Sequence, residues 1–258
     1  MPGLRKILLY GSGILLVLLL WELTTGVLGI FNRFVLPPPT DVFMTMVDDI
    51  MDGSLIMNAG WSLLRVILGF IVAAVVAIPL GIAMGWLQDV ANIVDPIVEI
   101  LRPIPPIAWI GLSLLWFGMG LNSAIFLVFI GAFFPILLNT IAGVRGVEKR
   151  LIEVAYTFGA SDWNVLRKVV MPAASPMIYT GLRVGMGIGW MCVVAAEMIA
   201  VKYGLGNMIL EASNLAQTSG VIVGMITIGL LGLAINYIFQ VVGGYIFKWQ
   251  QGIGRAVA

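Results

Sequence analysis

The sequence contains no histidine and only one cysteine, Cys192. The absence of histidine excludes Ser-His-Asp triads and other catalysis with an imidazole as the general base. A single thiol excludes an intrachain disulfide framework, and without histidine the usual zinc sites are excluded as well. Charge is also scarce, because Asp, Glu, Lys and Arg make up 10% of the 258 residues. The net charge is +1 and there is no dense basic run, so the charge pattern gives no support for nucleic-acid binding.

Apolar sequence is abundant instead, at 60% of the residues. This composition leaves too little polar surface to cover a water-soluble globule, so it predicts a multi-pass membrane protein. The apolar runs predict six transmembrane helices, at about 7–28, 62–87, 104–121, 123–142, 177–201 and 221–247. The first run lacks an evident small-residue cleavage site, and we interpret it as a retained helix rather than a signal peptide. The third and fourth are close enough to form a tight helical hairpin.

The distribution of Lys and Arg predicts the orientation. With the N-terminus in the cytoplasm, six spans return the C-terminus to that side, and ten basic residues then lie inside against three outside or near the outer surface. The inner residues are Arg5, Lys6, Arg102, Arg145, Lys149, Arg150, Arg167, Lys168, Lys248 and Arg255, and the outer ones are Arg33, Arg65 and Lys202. The outer loop after the first span is acidic, and Thr40 or Asp41 is predicted to cap a short surface helix there.

One long polar segment, Glu153–Pro172, interrupts the apolar second half of the chain. Gly159 is predicted to end a first short helix in the left-handed conformation, and Ser161 to cap a second helix that stops near Val170. The first helix is predicted to carry an apolar stripe formed by Leu151, Ile152, Ala155 and Phe158. The pattern leaves two interpretations open: a helical pair that protrudes from the membrane, or an amphipathic loop that rests on lipid.

This segment resembles the EAA signature of binding-protein-dependent ABC importer permeases. The signature reads Glu-Ala-Ala, three residues, Gly, nine residues, Ile-x-Leu-Pro, and the matching positions here are Glu153, Val154, Ala155, Gly159, Val169, Met171 and Pro172. Three of the apolar positions hold conservative replacements. The stretches LRPIPPIAWIGLSLLWFGMG, GAFFPILLNTIAGVRGV and VAAEMI are similar to the subgroup that imports nitrate, taurine and other sulfonates, bicarbonate and some vitamin precursors.

The resemblance implies a type I permease fold over a single domain, 1–258, in the inner membrane of a prokaryote. It implies that 148–172 is a cytoplasmic coupling loop between helices four and five, docking on a pair of ABC ATPases. The residues implied in that contact are Glu153, Ala155, Gly159, Ala160 and Pro172. Two permease subunits, most simply a homodimer, would line one path, and a periplasmic or lipid-anchored binding protein would deliver a small anion.

The chain has no G-x-x-x-x-G-K-[ST] phosphate loop, so ATP and Mg²⁺ would be bound by the partner ATPase. We therefore expect no catalytic residue, metal ligand or cofactor site in this chain. An ATP-independent secondary transporter is the alternative, although the sequence shows no convincing internal repeat. A membrane-embedded enzyme would need a convergent group of catalytic side chains, and Glu197 alone is a poor candidate.

Small residues repeat at four-residue spacing in two spans. Gly81 and Gly85 in the second span are interpreted as packing within the chain, because small residues allow close approach of helices in lipid. For Gly181, Gly185 and Gly189 in the fifth span, packing and a position at the dimer or pathway seam are both open. Trp109, Trp116, Met186, Trp190 and Met191 are aromatic or soft side chains that either surround the path or belong to the ordinary core.

Glu197 is a carboxylate inside an apolar run, and such groups are rare and normally face a cavity or a partner. It is either a gate residue or a hydrogen-bonded clamp between helices. We favour the clamp, because a carboxylate on the route of an anion would repel it. Glu22 and Arg65 are considered as a similar clamp. Arg183 lies near the cytoplasmic end of its span, and no cationic cluster is evident deep in the membrane.

Overall fold

The computed structural model describes residues 12–13 and 15–247, and every regular element in them is a helix. In chain order the helices are α1 (Leu15–Val27), α2 (Pro39–Met51), α3 (Ser54–Trp86), α4 (Gln88–Leu101), α5 (Ile110–Phe117), α6 (Leu121–Arg145), α7 (Lys149–Thr157), α8 (Asp162–Ala200), α9 (Leu205–Asn214) and α10 (Thr218–Ile246). The helices form two compact units, one from the described residues up to 61 together with 203–229, the other from 62–202 and 230–247. The all-α prediction is confirmed for the described residues.

Four helices are long and apolar enough to cross a membrane: α3, α6, α8 and α10. They contain the predicted second, fourth, fifth and sixth spans, so these four predictions are confirmed. Helix α1 is apolar but shorter, and the predicted first span also includes residues 1–11 and 14, which lie outside the described residues. The number of six spans and the positions of both termini therefore stay predictions.

The predicted third span, at about 104–121, is wrong as a continuous helix. Pro106–Trp109 form a short 3₁₀ turn, and α5 then has only 8 residues before Gly118, whose φ is 70°. Eight residues rise about 12 Å, well short of the ~30 Å of a hydrocarbon core. The segment Pro106–Phe117 instead forms a bent pair with α4, at an angle of 88°. The bend lies at the proline-containing turn that begins at Pro106, because a proline cannot continue the hydrogen-bond ladder of a helix.

Helix α4 was not predicted, because its acidic residues hide its apolar face. Ala91 and Val98 are buried against small residues of α3 and the middle of α6. Asp95 lies between them on the same face of the helix, and its carboxylate is 3.6 Å from the guanidinium of Arg145 at the end of α6. The spacing of the buried positions is helical, so periodicity could have found this helix where hydropathy could not.

Helix α6 is at the centre of the larger unit, between α3 and α8. Both neighbours approach it through glycines, where an added β-carbon would clash. At Gly81 it would lie 2.7 Å from Cβ of Thr140, and at Gly85 2.6 Å from Cβ of Val144. These contacts agree with the packing role expected for the two glycines. Because hydrophobic burial does not join helices in lipid, such backbone proximity and van der Waals contact hold this unit together.

The polar segment 148–172 continues into α8 without a break in the helix, which corrects the predicted stop near Val170. Helix α8 is continuous from Asp162 to Ala200 and contains a π-helical turn at Leu166–Val170. The amide of Met171 bonds to the carbonyl of Leu166, five residues back. A proline cannot donate to the carbonyl four residues back and collides with it. The wider turn directly before Pro172 moves that carbonyl aside, so the helix can continue.

The surface helix predicted in the acidic outer loop is present as α2, but neither Thr40 nor Asp41 caps it. Pro38 is the N-cap residue, and no side chain caps from that position. The carboxylate of Glu22 instead accepts hydrogen bonds from the amide and the hydroxyl of Thr40, both at 3.2 Å. A carboxylate at a helix N-terminus satisfies free amides and interacts favourably with the helix dipole.

Candidate functional site

The first helix of the coupling loop, α7, ends in a Schellman motif at Gly159. The Gly159 amide bonds to the carbonyl of Tyr156 at 2.8 Å, and the Ala160 amide to that of Ala155 at 3.1 Å. These are the two bonds that define the motif. Gly159 has a φ of 77°, a left-handed value that non-glycine residues rarely adopt. An added β-carbon would meet no atom within 4 Å, so the requirement for glycine within this chain is conformational and not steric.

The predicted apolar stripe of α7 divides between two surfaces. Ile152 and Ala155 pack on a buried cluster that contains Val144, Val170 and Ala174, and Ala160 packs on the same cluster. The loop is thereby fixed to the inner ends of α6 and α8.

Leu151 and Phe158 face outward, and Phe158 is 87% exposed. Val154 and Tyr156 are exposed beside them, and Trp163 at the start of α8 is 67% exposed. We call the exposed surface formed by Leu151, Val154, Tyr156, Phe158 and Trp163 the loop face. Glu153 is exposed on the same short helix. Exposed apolar side chains concentrated on one short segment are typical of a site of interaction with protein or membrane.

A polar contact sets the angle between α7 and α8. The Tyr156 hydroxyl donates to Oδ1 of Asp162 at 2.9 Å, and this hydrogen bond raises the pKa of the tyrosine. Ser161 occupies the N-cap position, as predicted, but its side chain does not bond to the backbone. Its hydroxyl instead accepts a hydrogen bond from Nδ2 of Asn164 at 3.0 Å.

In the outer half of α8, Glu197 forms a buried ion pair. Its Oε1 is 2.7 Å from NH1 of Arg65, and its Oε2 accepts a hydrogen bond from the Ser62 hydroxyl at 2.7 Å. The side chain of Glu197 is 0% exposed and that of Arg65 only 6%. The pairing of Arg65 with Glu22 is wrong, since Glu22 caps α2. Sequence reasoning missed Ser62 and Arg65 as partners, although they lie one helical turn apart at the start of an apolar run.

The glycine face of α8 lies against α6 of the same chain. A β-carbon at Gly181 would be 2.7 Å from Cβ of Asn139, and one at Gly185 would be 2.8 Å from Cγ1 of Ile136. At Gly189 the nearest atom, Cγ1 of Val128, is 3.2 Å away. The structure therefore places this face in an intrachain contact. Trp190 is buried, with its indole nitrogen near Gly232 of α10.

The chain is similar to known transport proteins over most of its length. Residues 77–250 match the family described as "binding-protein-dependent transport system inner membrane component". A putative ABC transporter permease protein of Methanocaldococcus jannaschii is 48% identical over 241 residues, which are 92% of this chain and 90% of that protein. The taurine transport system permease protein of Escherichia coli is 38% identical, over 87% of this chain and 83% of that protein. A putative aliphatic sulfonates transport permease protein of Bacillus subtilis is 34% identical, over 96% and 91%.

The fold is similar to that of solved ABC importer permeases. A chain of the MetNI methionine ABC transporter, in an inward-facing conformation, superposes with a TM-score of 0.64. The match covers 78% of this chain and 97% of that chain, at 21% sequence identity. The chain therefore belongs to the family of binding-protein-dependent transport system inner membrane components, the multi-pass, non-catalytic permease subunits of ABC importers.

Proposed function

We propose that this chain is the permease subunit of an ATP-driven importer for a small anion, a sulfonate in the first instance. Two copies line one path, a binding protein delivers the anion from outside, and a pair of cytoplasmic ATPases binds ATP and Mg²⁺ and docks on the coupling loop 148–172. The single domain 1–258 and a cytoplasmic position for both termini belong to the same proposal. The taurine and sulfonate permeases among the relatives support the substrate class.

The observation that carries the proposal is the construction of the coupling loop. One side of α7 is packed into the core beside Val170 and Ala174, and the other side is the exposed loop face. A protein bound to the loop face would transmit its movement directly to α8, because this helix runs unbroken from Asp162 into its apolar part. In this proposal Glu153 orients the contact or meets a basic group of the ATPase, and Ala155 stays small so that α7 can lie close to its neighbours.

The first test concerns Gly159. A branched side chain in the left-handed conformation costs about 1–2 kcal/mol, so we expect Gly159→Val to leave the permease folded in the membrane but to reduce ATPase co-purification and to uncouple hydrolysis from uptake. Glu153→Ala should do the same less severely. Gly159→Asn separates two causes: asparagine tolerates this conformation, so a loss there reports a steric clash with the docked partner.

Gly53 supplies a matched control, because its φ is 81° and an added β-carbon there would also have no atom within 4 Å. It lies in the turn between α2 and α3, far along the chain from the coupling loop. Gly53→Val should therefore carry a similar conformational cost without changing ATPase retention. Normal ATPase retention and coupling in all three loop variants would remove the coupling role and return the segment to the lipid-resting interpretation.

The orientation can be tested by thiol labelling in sealed cells after Cys192→Ala. A cysteine that replaces exposed Gln217 should react with an impermeant reagent added outside, whereas one that replaces exposed Asp162 should be protected until the cells are opened. The ten-to-three distribution of basic residues motivates this expectation. Labelling of the Asp162 position from outside would invert the topology.

The alternative of a secondary transporter predicts a different energy requirement. Uptake into vesicles that contain the chain without any ATPase, driven by an ion gradient alone, would favour it. Uptake that appears only with ATP and the ATPase pair supports the importer. Both experiments use taurine or a simple alkyl sulfonate as the transported probe.

A further inference from the structure

A cavity of about 700 Å³ lies in the unit formed by 62–202 and 230–247. Its walls are the end of α6, residues 173–183 of α8 and the end of α10. Arg183 carries the only charge among the described residues that line it, and Thr180 and Gln240 add polar groups. Glycines on α6 and α10 keep the space open. No carboxylate from the described residues lines the cavity.

The polar groups around this cavity lie on membrane-spanning helices and are nevertheless exposed. Arg183 on α8 and Asn236 and Gln240 on α10 all have accessible side chains. Such groups are too costly to place against lipid tails, so they face water or a partner. At 1.5 Å per residue, Arg183 lies about 26 Å along α8 from Ala200, near the inner edge of the hydrocarbon. In the orientation proposed above, this is the cytoplasmic end of the apolar part of α8, where the side chain can reach water.

Two hydrogen bonds fix the walls of the cavity. Nε of Arg183 donates to Oδ1 of Asn236 at 2.9 Å, and the Tyr179 hydroxyl donates to the carbonyl of Phe239 at 2.5 Å. The Tyr179 ring lies directly on Gly243, where a β-carbon would be 2.7 Å from Cε1 of the ring. Both contacts join α8 to α10. The Asn236 contact orients the guanidinium but does not neutralise it, and no bond from its two terminal NH₂ groups to the described residues is present.

We propose that this cavity is an anion-binding site in which Arg183 holds a small oxyanion, a sulfonate in the first instance, at the cytoplasmic end of the path. The identification of that oxyanion with the transported solute rests on the proposed function. A guanidinium fits two oxygens of an oxyanion through its parallel N–H groups, and Asn236 holds the planar group in one orientation. Since no carboxylate among the described residues lines the cavity, the charge of Arg183 is not cancelled there and concentrates anions in the cavity.

The phosphate of an anionic lipid headgroup shares this chemistry. The end of a transmembrane helix is a common place for such lipids, so the experiment has to separate the two sources. We commit to the free solute because Thr180 and Gln240 line the same cavity as Arg183 and can donate further hydrogen bonds to an oxyanion, although apolar side chains such as Met177 and Phe239 also line it.

The direct test measures the charge preference of the cavity by thiol chemistry. With Cys192→Ala as background, Thr180→Cys places one thiol in the cavity of the full-length permease, reconstituted in nanodiscs of phosphatidylcholine. The rates of reaction with 2-sulfonatoethyl and 2-trimethylammonioethyl methanethiosulfonate are compared. We expect the anionic reagent to react faster, Arg183→Gln to lower the rate ratio roughly tenfold, and Arg183→Lys to preserve most of it.

Arg102→Gln is the matched control, because it removes an exposed arginine that does not line the cavity. It should leave the rate ratio unchanged. If Arg183→Gln leaves the ratio of anionic to cationic labelling rates unchanged, the proposal is overturned. It is also overturned if Arg102→Gln lowers this ratio more than Arg183→Gln does. Methanesulfonate should slow the labelling in phosphatidylcholine. If only added anionic lipid slows it, the cavity is a headgroup site and the proposal is wrong.

The labelling experiment uses neither ATP nor a partner, so it is independent of the importer function. In the assembled importer, Arg183→Gln should lower sulfonate uptake at least tenfold while ATPase co-purification stays normal. If Arg183→Gln lowers the ratio of labelling rates as expected but the assembled importer shows no ATP-driven uptake, the proposed function is overturned and the anion site remains. ATP-driven uptake that is indifferent to Arg183→Gln overturns the site and leaves the importer intact.

Discussion

The apolar part of α8, residues 171–200, carries two charges whose surroundings are opposite. Glu197 is completely buried and is paired with Arg65 at 2.7 Å. Arg183 lies 14 residues earlier, about 21 Å along the helix, and is exposed beside a polar cavity, where its contact is the neutral side chain of Asn236. One charge is neutralised inside the protein, and the other is left to act on what enters the cavity.

The difference separates a structural charge from a functional one. A buried ion pair gains little over apolar packing, but removal of one partner leaves an unpaired charge and is strongly destabilising. An exposed charge contributes little to stability, so its retention in a span points to a ligand. The net charge of each site also differs. In the proposed orientation the neutral pair lies towards the outside and the positive site towards the cytoplasm, an order that suits the import of an anion.

The largest expected effect comes from breaking the buried pair. Arg65→Ala leaves the Glu197 carboxylate without its cation, and such losses cost about 3–5 kcal/mol. We expect this variant to lose most of its folded protein in a thermal or SDS titration. The combined change Arg65→Met with Glu197→Met should recover much of the loss. If Arg65→Ala is as stable as Arg183→Ala, the two charges do not differ in the way proposed.

A steric change between the two charges should have an intermediate effect. A β-carbon at Gly185 would lie 2.8 Å from Cγ1 of Ile136 and 3.0 Å from the carbonyl of Ala132, whereas at Gly187 nothing lies within 4 Å. Overpacking costs about 1–3 kcal/mol, so Gly185→Ala should lower the unfolding midpoint. Gly187→Ala is the control on the same helix and should be neutral or slightly stabilising. Equal effects would mean that the glycine face is not a close contact with α6.

A smaller effect is expected when the charge of Glu197 is removed but its shape is kept. In Glu197→Gln the amide oxygen still accepts a hydrogen bond from Arg65 or Ser62, and polar contacts in membranes are worth about 0.6–2 kcal/mol. Transport should be largely preserved while stability falls partially. Loss of transport by an intact, fully assembled complex would show that the carboxylate charge itself acts in the pathway.

The smallest effect concerns Asp49, a partly buried carboxyl outside the membrane-spanning segments. Burial, followed by repulsion from Asp52 and Asp48, raises its pKa above 3.8. The folded protein therefore holds this proton more tightly than the unfolded chain, and its stability decreases as the pH rises above 3.8. Asp49→Asn should stabilise the protein at pH 7 by a few tenths of a kcal/mol, because solvent screens most of the effect. The gain should shrink in unfolding measurements at low pH, and a gain that grows there would contradict the sign.

The coupling loop was the part of the site best predicted from sequence. The turn at Gly159 depends on one residue without a β-carbon and on the helical spacing of a few neighbouring residues. It could be predicted because all of these residues are close together in the sequence. The stop near Val170 was wrong because the same local rule ignores the π-turn, which accommodates Pro172 inside a longer helix.

Long-range pairing could not be predicted in the same way. Arg65 and Glu197 are 132 residues apart in the chain, and nothing in either local pattern names the other as partner. The cavity at Arg183 likewise depends on Asn236 and Gln240, more than 50 residues later. The fold class and four of the spans were predictable, because mean hydropathy and length constrain membrane helices strongly.

By itself the sequence determined that this is a helical membrane protein with a polar helix–glycine–helix segment built around Gly159, since composition and local spacing dictate both. The tertiary structure alone decided that the apolar run after Pro106 bends away from α4 instead of forming one straight helix, that the glycine face of α8 lies on α6, and that Glu197 is paired with a cation while Arg183 contacts a neutral side chain. The physical reason is that these outcomes depend on which helices come within a few ångströms of each other. Close approach at glycines and the pairing of a buried charge are contacts between distant segments, which a one-dimensional pattern does not contain.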